Sequence, residues 1–160
     1  MSDRTSESLV RHGLVAILVA LAGGFMLTFK MLGGISLSPL PLFFEAELPG
    51  STTGWRAVHL GMLMNGMMAI VLGLVVSRFA LAAATANRVR LGVLVAVWGN
   101  FCFYLFSMFG DNHGLTLGGN RLGAGNWAGA LAFLPALVGA VTLIVAVVTL
   151  LRAPMRGPSN

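Results

Sequence analysis

The chain has 160 residues, 57% of them hydrophobic and 9% charged, with a mean hydropathy of +0.88. That composition excludes a soluble globular domain and describes an integral membrane protein. The formal net charge of +5 does not mark a nucleic-acid binder, because the basic residues fall in the segments between apolar runs.

Residues 1–8 read as a short, frayed polar tail. The first apolar run, 14–32, is too long for the core of a cleaved signal and lacks a small-residue cleavage site, so it is expected to be retained as a span. Gly23 and Gly24 break its bulk, which suits a tight helix crossing. The segment Gly33 to Gly54 contains Pro39, Pro41, Pro49 and Phe43-Phe44. It is too apolar for a free linker and is expected to fold back over the mouth of the bundle as a lid.

The second run, 57–76, leads into a basic link, Ser77 to Arg90, that carries no Gly, Pro or acid. The third run, 91–109, holds the single Cys102, so no intramolecular disulfide can form. The segment Gly110 to Asn126 contains six glycines, which permits tight turns and close backbone approach but equally suits a mobile loop. The fourth run, 127–151, begins near Gly125 and Gly129, a small-xxx-small pair expected at a helix crossing. Residues 153–160 close the chain as a second polar tail.

Each run is close to the ~20 residues that carry a helix across hydrocarbon. The predicted fold is therefore an all-α integral membrane protein, one domain over 1–160, built as a four-transmembrane-helix bundle. Seven basic residues (Arg4, Arg11, Arg78, Arg88, Arg90, Arg152 and Arg156) lie at the termini and in the link between the second and third runs. Three (Lys30, Arg56 and Arg121) lie on the other side. By the positive-inside rule both termini are expected in the cytoplasm, as an even number of spans requires.

Polar groups inside the runs are the candidates for function, because hydrocarbon penalises them unless they ligate, pair or line a pocket. In the third run Asn100, Tyr104, Ser107 and Asp111 fall within a stripe about 60° wide at 100° per residue. The stripe is either interhelical hydrogen-bond glue or the wall of a polar pocket. In the second run His59, Leu63, Gly66 and Gly73 share a face, while Asn65 lies about 120° away and ~9 Å deeper.

The small residues below His59 would admit either a flat macrocycle or another helix. His59 itself reads as an interfacial imidazole bonded to headgroups or a loop, or as an axial haem ligand. No Cys, His or carboxylate spacing matches a zinc, calcium or di-iron site. A bis-histidine haem has little support, since His12 lies toward the opposite membrane face from His59 and His113 lies in a loop. A lone histidine ligand would leave the sixth iron position open for chemistry.

The run Pro49-Gly50-Ser51-Thr52-Thr53-Gly54-Trp55-Arg56-Ala57-Val58-His59, continuing to Asn65-Gly66-Met67-Met68, resembles the corresponding part of the styrene oxide isomerases. So do Asn100-Phe101-Cys102-Phe103-Tyr104-Leu105-Phe106-Ser107, Gly114-Leu115-Thr116 and Gly123-Ala124-Gly125. No single block is diagnostic, but their order and spacing run over nearly the whole chain.

The resemblance implies an intramolecular isomerase that converts aryl epoxides to aldehydes in the inner (cytoplasmic) membrane of a bacterium. It further implies haem b held through His59, with ferric iron as Lewis acid, and a homotrimer with haem between protomers. The implied substrate pocket uses Asn65, Asn100 and Tyr104, and Arg56 and Arg121 are available to the haem propionates. Members of that family carry an acid about one turn before the position of Asn100, where this chain has Ala96. Two other readings stay open: a membrane haem-binding or electron-transfer protein, which needs a second axial ligand, and a small multidrug transporter, which needs an embedded acid that the first run lacks.

Overall fold

The computed structural model describes residues 2–156. It contains four long helices in chain order: α1 (Ser2–Leu32), α2 (Thr52–Val76), α3 (Ala83–Phe106) and α4 (Trp127–Arg152). All four are long and apolar enough to cross a membrane. A short hairpin, β1 (Gly34–Ser36) against β2 (Phe43–Glu45), is antiparallel with Ile35 opposite Phe44. A single 3-10 turn, Ser107–Phe109, extends α3.

Local chemistry sets the boundaries. Gly33 takes a positive φ of 72°, which ends α1. The Ser51 hydroxyl accepts the Gly54 amide at 3.0 Å and caps α2. The Asn126 side chain accepts the Gly129 amide at 2.8 Å and caps α4. α3 begins after Ala82 with no side-chain cap, in the basic link, where water reaches its free amides.

The helices pack through glycine seams. A Cβ on Gly13 would sit 2.7 Å from the Gly66 carbonyl oxygen, and one on Gly66 would sit 2.7 Å from that of Gly13. Gly73 meets Leu9, and Gly23 meets Val58 and the His59 amide. α3 and α4 approach likewise, Gly92 against the Thr142 backbone and Gly139 against Ala96, while the Thr142 hydroxyl donates to the Gly92 carbonyl at 3.1 Å. Without a hydrophobic force between helices in lipid, such close backbone contact supplies the packing. Leu9, Ala16, Val58, Met62, Ala69, Val93 and Val97 are buried among the helices, whereas Leu18, Phe25, Leu74, Ile144 and Leu151 are exposed on the outside.

Several expectations need correction. The tail at 1–8 is helical from Ser2 onward, because α1 continues as one helix beyond its apolar run. Residues 153–156 are pinned rather than frayed: Arg156 donates its backbone N–H to the Arg78 carbonyl at 2.9 Å and its Nε to the Phe79 carbonyl at 3.0 Å. The remainder of that tail, 157–160, lies outside the described residues. The hairpin does not fold over the bundle as a lid, since Phe43 and Phe44 stay at least half exposed. Only the chain after it returns, where Trp55 Nε1 donates to the Pro49 carbonyl at 2.8 Å and Gly54 packs on Met108. The Gly125/Gly129 pair is not a helix crossing: Gly125 precedes α4 and meets Gly118, and Gly129 makes room for the Asn112 amide.

Candidate functional site

At the α2–α3 contact, the polar residues of the two helices join in one network. Asn100 Nδ2 donates to Asn65 Oδ1 at 2.9 Å, and Asn65 Nδ2 donates to the Tyr104 hydroxyl at 3.2 Å. Asn65 Nδ2 also donates to the Gly61 carbonyl, one turn back in its own helix, at 2.8 Å. Asn65 is buried, with 6% exposure, and Asn100 and Tyr104 are half-buried. The Tyr104 ring lies across Gly61, where a Cβ would come 2.5 Å from Cζ. Any side chain at 61 would therefore displace the phenol. Phe103 meets the same ring edge-on at 5.8 Å between centroids.

Two members of the predicted stripe behave differently. Among the described residues the Ser107 side chain keeps only a long contact to the Tyr104 carbonyl, at 3.5 Å. Asp111 leaves the stripe, because α3 ends at Phe106 and the chain turns before reaching it; its side chain is exposed.

His59 faces the other way, toward α1. Its Nδ1 lies 2.7 Å from the Ala20 carbonyl oxygen. A carbonyl only accepts, so Nδ1 carries the proton and Nε2 of the neutral ring keeps its lone pair. The ring rests on Gly24, where a Cβ would be 2.9 Å from Nδ1 and 3.1 Å from Cε1. The small residues below His59 thus admit another helix, α1, and not a macrocycle: Gly66 and Gly73 are filled by Gly13, Ile17 and Leu9. What His59 can offer a metal is a single, fixed Nε2 at its half-buried edge.

Arg56 and Arg121 are both exposed and form no ion pair or hydrogen bond among the described residues. Ala96 is buried against Gly139 of α4, whose Cβ would fall 2.9 Å from the Ala96 Cα. With 1% exposure, Ala96 is tightly packed under the close approach of α4. His12 is remote from His59 and is engaged otherwise: Trp98 Nε1 donates to its Nδ1 at 3.2 Å, with the rings edge to face at 6.1 Å.

The tight crossing expected at Gly23 and Gly24 is present, and Gly24 there also takes the His59 ring. Two features were not foreseen from the sequence. Gly61 seats the Tyr104 ring, and the only signal for it was its small size. The second is Asn112, fully buried at 0% exposure. It donates Nδ2 to the Thr116 and Gly118 carbonyls, both at 2.8 Å, and accepts the Gly114 amide at 3.0 Å. Asn120 closes the same knot by donating to the Asn112 carbonyl at 3.0 Å. The glycine-rich connection is therefore an organised cap rather than a mobile loop.

The chain is similar to known proteins. The family model described as styrene oxide isomerase matches residues 5–155. A styrene-oxide isomerase of Pseudomonas fluorescens is 34% identical over 125 residues, a stretch covering 78% of this chain and 73% of that protein. The family match spans all four helices, the α2–α3 network and His59, and with it the chain belongs to the styrene oxide isomerase family, whose members are isomerases.

Proposed function

We propose that this protein converts styrene oxide-type aryl epoxides to arylacetaldehydes by a redox-neutral rearrangement. The observation that carries this reading is the Asn100–Asn65–Tyr104 network, a set of paired polar groups between membrane helices that ends on a phenol. Asn65 fills one lone pair of the Tyr104 oxygen, and among the described residues the phenolic hydrogen has no acceptor. Tyr104 O–H is thus available to an epoxide oxygen, and it strengthens its bond as alkoxide charge develops there. The benzylic C–O bond breaks, a hydride moves with its electron pair from the terminal carbon to the benzylic carbon, and the oxygen closes to a carbonyl. Substrate and product have the same atoms, so no electron donor or acceptor is consumed. Asn65 and Asn100 hold the phenol in place, and the apolar surroundings keep out the water that would give a diol.

The residues present suit haem b held through His59. Its Nδ1 is committed to Ala20 and its Nε2 is left for iron, the usual arrangement of an orienting hydrogen bond behind a ligating imidazole. Among the described residues no three His, Cys, Asp or Glu side chains gather, so iron here would depend on a macrocycle for its other ligands. Bound ferric haem would supply a Lewis acid to the epoxide oxygen. Arg56 and Arg121 are the free guanidiniums for its propionates.

The reading extends to a homotrimer with haem between protomers, which the direction of the side chains supports. His59 faces α1 whereas Asn65 faces α3, about 120° around the helix, so one chain's imidazole and its own network open onto different sides. In a closed ring the imidazole of one protomer meets the network of the next. The basic asymmetry supports an orientation with both termini in the cytoplasm.

The test is to purify the protein in detergent, record its visible spectrum and supply styrene oxide without a redox cofactor. A haem band with phenylacetaldehyde formation that stops on dithionite reduction and returns on reoxidation is expected. Substrate deuterated at the terminal carbon should keep its migrating deuteron. Loss of that label to solvent, or a six-coordinate low-spin spectrum without turnover, overturns the reading.

A further inference from the structure

At the basic end of the bundle, α1 and α3 leave a groove of about 310 Å³ lined by Arg4, Thr5, Ala83, Asn87 and Arg90. Two guanidiniums face it, and no carboxylate among the described residues lines it. Glu7, one turn along α1 from Arg4, is engaged by Arg11 at 2.5 Å.

Arg90 is already held in place. Its Nε and Nη2 donate to Asn87 Oδ1 at 3.2 and 2.8 Å, and Nη1 reaches Ser8 Oγ at 3.4 Å. A fork fixed in advance loses little freedom when it takes a further acceptor. Arg4 is exposed and has no side-chain hydrogen bond among the described residues. The uncapped start of α3 turns its free amides toward the same end of the bundle. Each of these groups donates, and together they ask for an anion with several acceptor oxygens.

The surface above the groove says what that anion is attached to. On α1, Arg4, Arg11, Val15 and Leu18 fall within about 60° of one another, and Val15 and Leu18 are 45% and 64% exposed. On α3, Leu91 and Val95 follow Asn87 at successive turns and are 46% and 40% exposed. A cationic groove thus passes directly into exposed apolar stripes at the level where the hydrocarbon-crossing segments begin. A free phosphate would use only the groove, whereas an amphiphile uses both parts.

We propose that this groove binds the phosphate headgroup of an anionic membrane phospholipid, with its acyl chains along Val15 and Leu18 on one side and Leu91 and Val95 on the other. The site is remote from the Asn65 network and independent of the isomerase reading. It holds one lipid per chain at a fixed place, unlike the diffuse attraction of a basic surface to anionic lipid.

Native mass spectrometry of the full-length protein in detergent, titrated with phosphatidylglycerol or phosphatidylcholine, tests this. Wild type should retain one phosphatidylglycerol per chain in preference to phosphatidylcholine. Arg4→Gln and Arg90→Gln should each weaken that binding about fivefold, the scale of one basic contact at a membrane surface. Arg88→Gln, which removes the same charge from an exposed site outside the groove, should change it less than about twofold by the same scale. Arg4 makes no bond that the fold needs, so its variant decides the matter if Arg90→Gln loses the fold. Equal binding of the two lipids, an equal loss in Arg88→Gln, or displacement of the lipid by millimolar inorganic phosphate would overturn the proposal, the last by showing a free-anion site.

Discussion

Tyr104→Phe separates the chemistry from the packing, because the structure gives the phenol oxygen one partner and the ring several. Among the described residues the oxygen accepts only from Asn65, at 3.2 Å. Once it is removed, Asn65 still donates to Gly61 at 2.8 Å and still accepts from Asn100 at 2.9 Å. The loss to stability is then one neutral hydrogen bond, about 0.5–1.5 kcal/mol. The ring keeps its bed on Gly61 and its edge contact with Phe103.

The rate should respond far more. Removing one preorganised donor to a developing oxyanion typically lowers turnover by about 100- to 1,000-fold, or ~3–4 kcal/mol. Initial rates of phenylacetaldehyde formation, haem content by absorbance and a thermal melt on the same preparation read the two effects apart. A variant with full haem, a nearly unchanged melt and turnover within threefold of wild type would refute the argument. A parallel fall in stability and turnover would instead assign Tyr104 to packing.

Three other outcomes follow from the geometry. Gly24→Ala puts a methyl against the His59 ring and strains its bond to Ala20; haem affinity measured by absorbance titration should fall about 10- to 100-fold, the usual loss when the orienting shell of a ligand is disturbed. Asn112→Ala removes three side-chain hydrogen bonds from a buried knot and should destabilise the protein by about 2–4 kcal/mol, detected as earlier proteolysis between Gly110 and Asn126. If the basic residues mark the cytoplasmic side, as the positive-inside rule has it, cysteines introduced near Thr52 and Gly118 should react with an impermeant thiol reagent from outside intact cells and one near Asn87 should not.

The spans were legible because hydrocarbon demands long apolar runs, and the runs have the length of the membrane. Their ends were less so: nothing in Ser2 to Ser8 distinguishes a helix continuing into water from a frayed tail. Asn65, Asn100 and Tyr104 could be singled out because polar side chains are costly in lipid, yet only coordinates show that the two amides bond to each other. The divergence of His59 and Asn65 was legible from their spacing, but the helix that His59 faces was hidden because its partner is a backbone carbonyl, which leaves no trace in residue identity. Asn112 was invisible for a related reason. In a glycine-rich segment an Asn reads as a turn residue, and its burial depends on Gly129, seventeen positions later, providing space.

The glycine seams divide the chain into two helical hairpins, α1 with α2 and α3 with α4, and the Asn65–Asn100 bond crosses from one to the other. Each hairpin has its own internal packing and can enter the bilayer as a unit; the polar residues become satisfied only when the units find each other. Assembly is on this reading the second stage of membrane folding, and the proposed reactive centre is itself part of the recognition between halves. A chain cut in the link after Phe79 and supplied as two co-expressed pieces should on this logic rebuild the network. The same bond that orients the phenol would then select the correct partner hairpin from among the many apolar helices of the membrane.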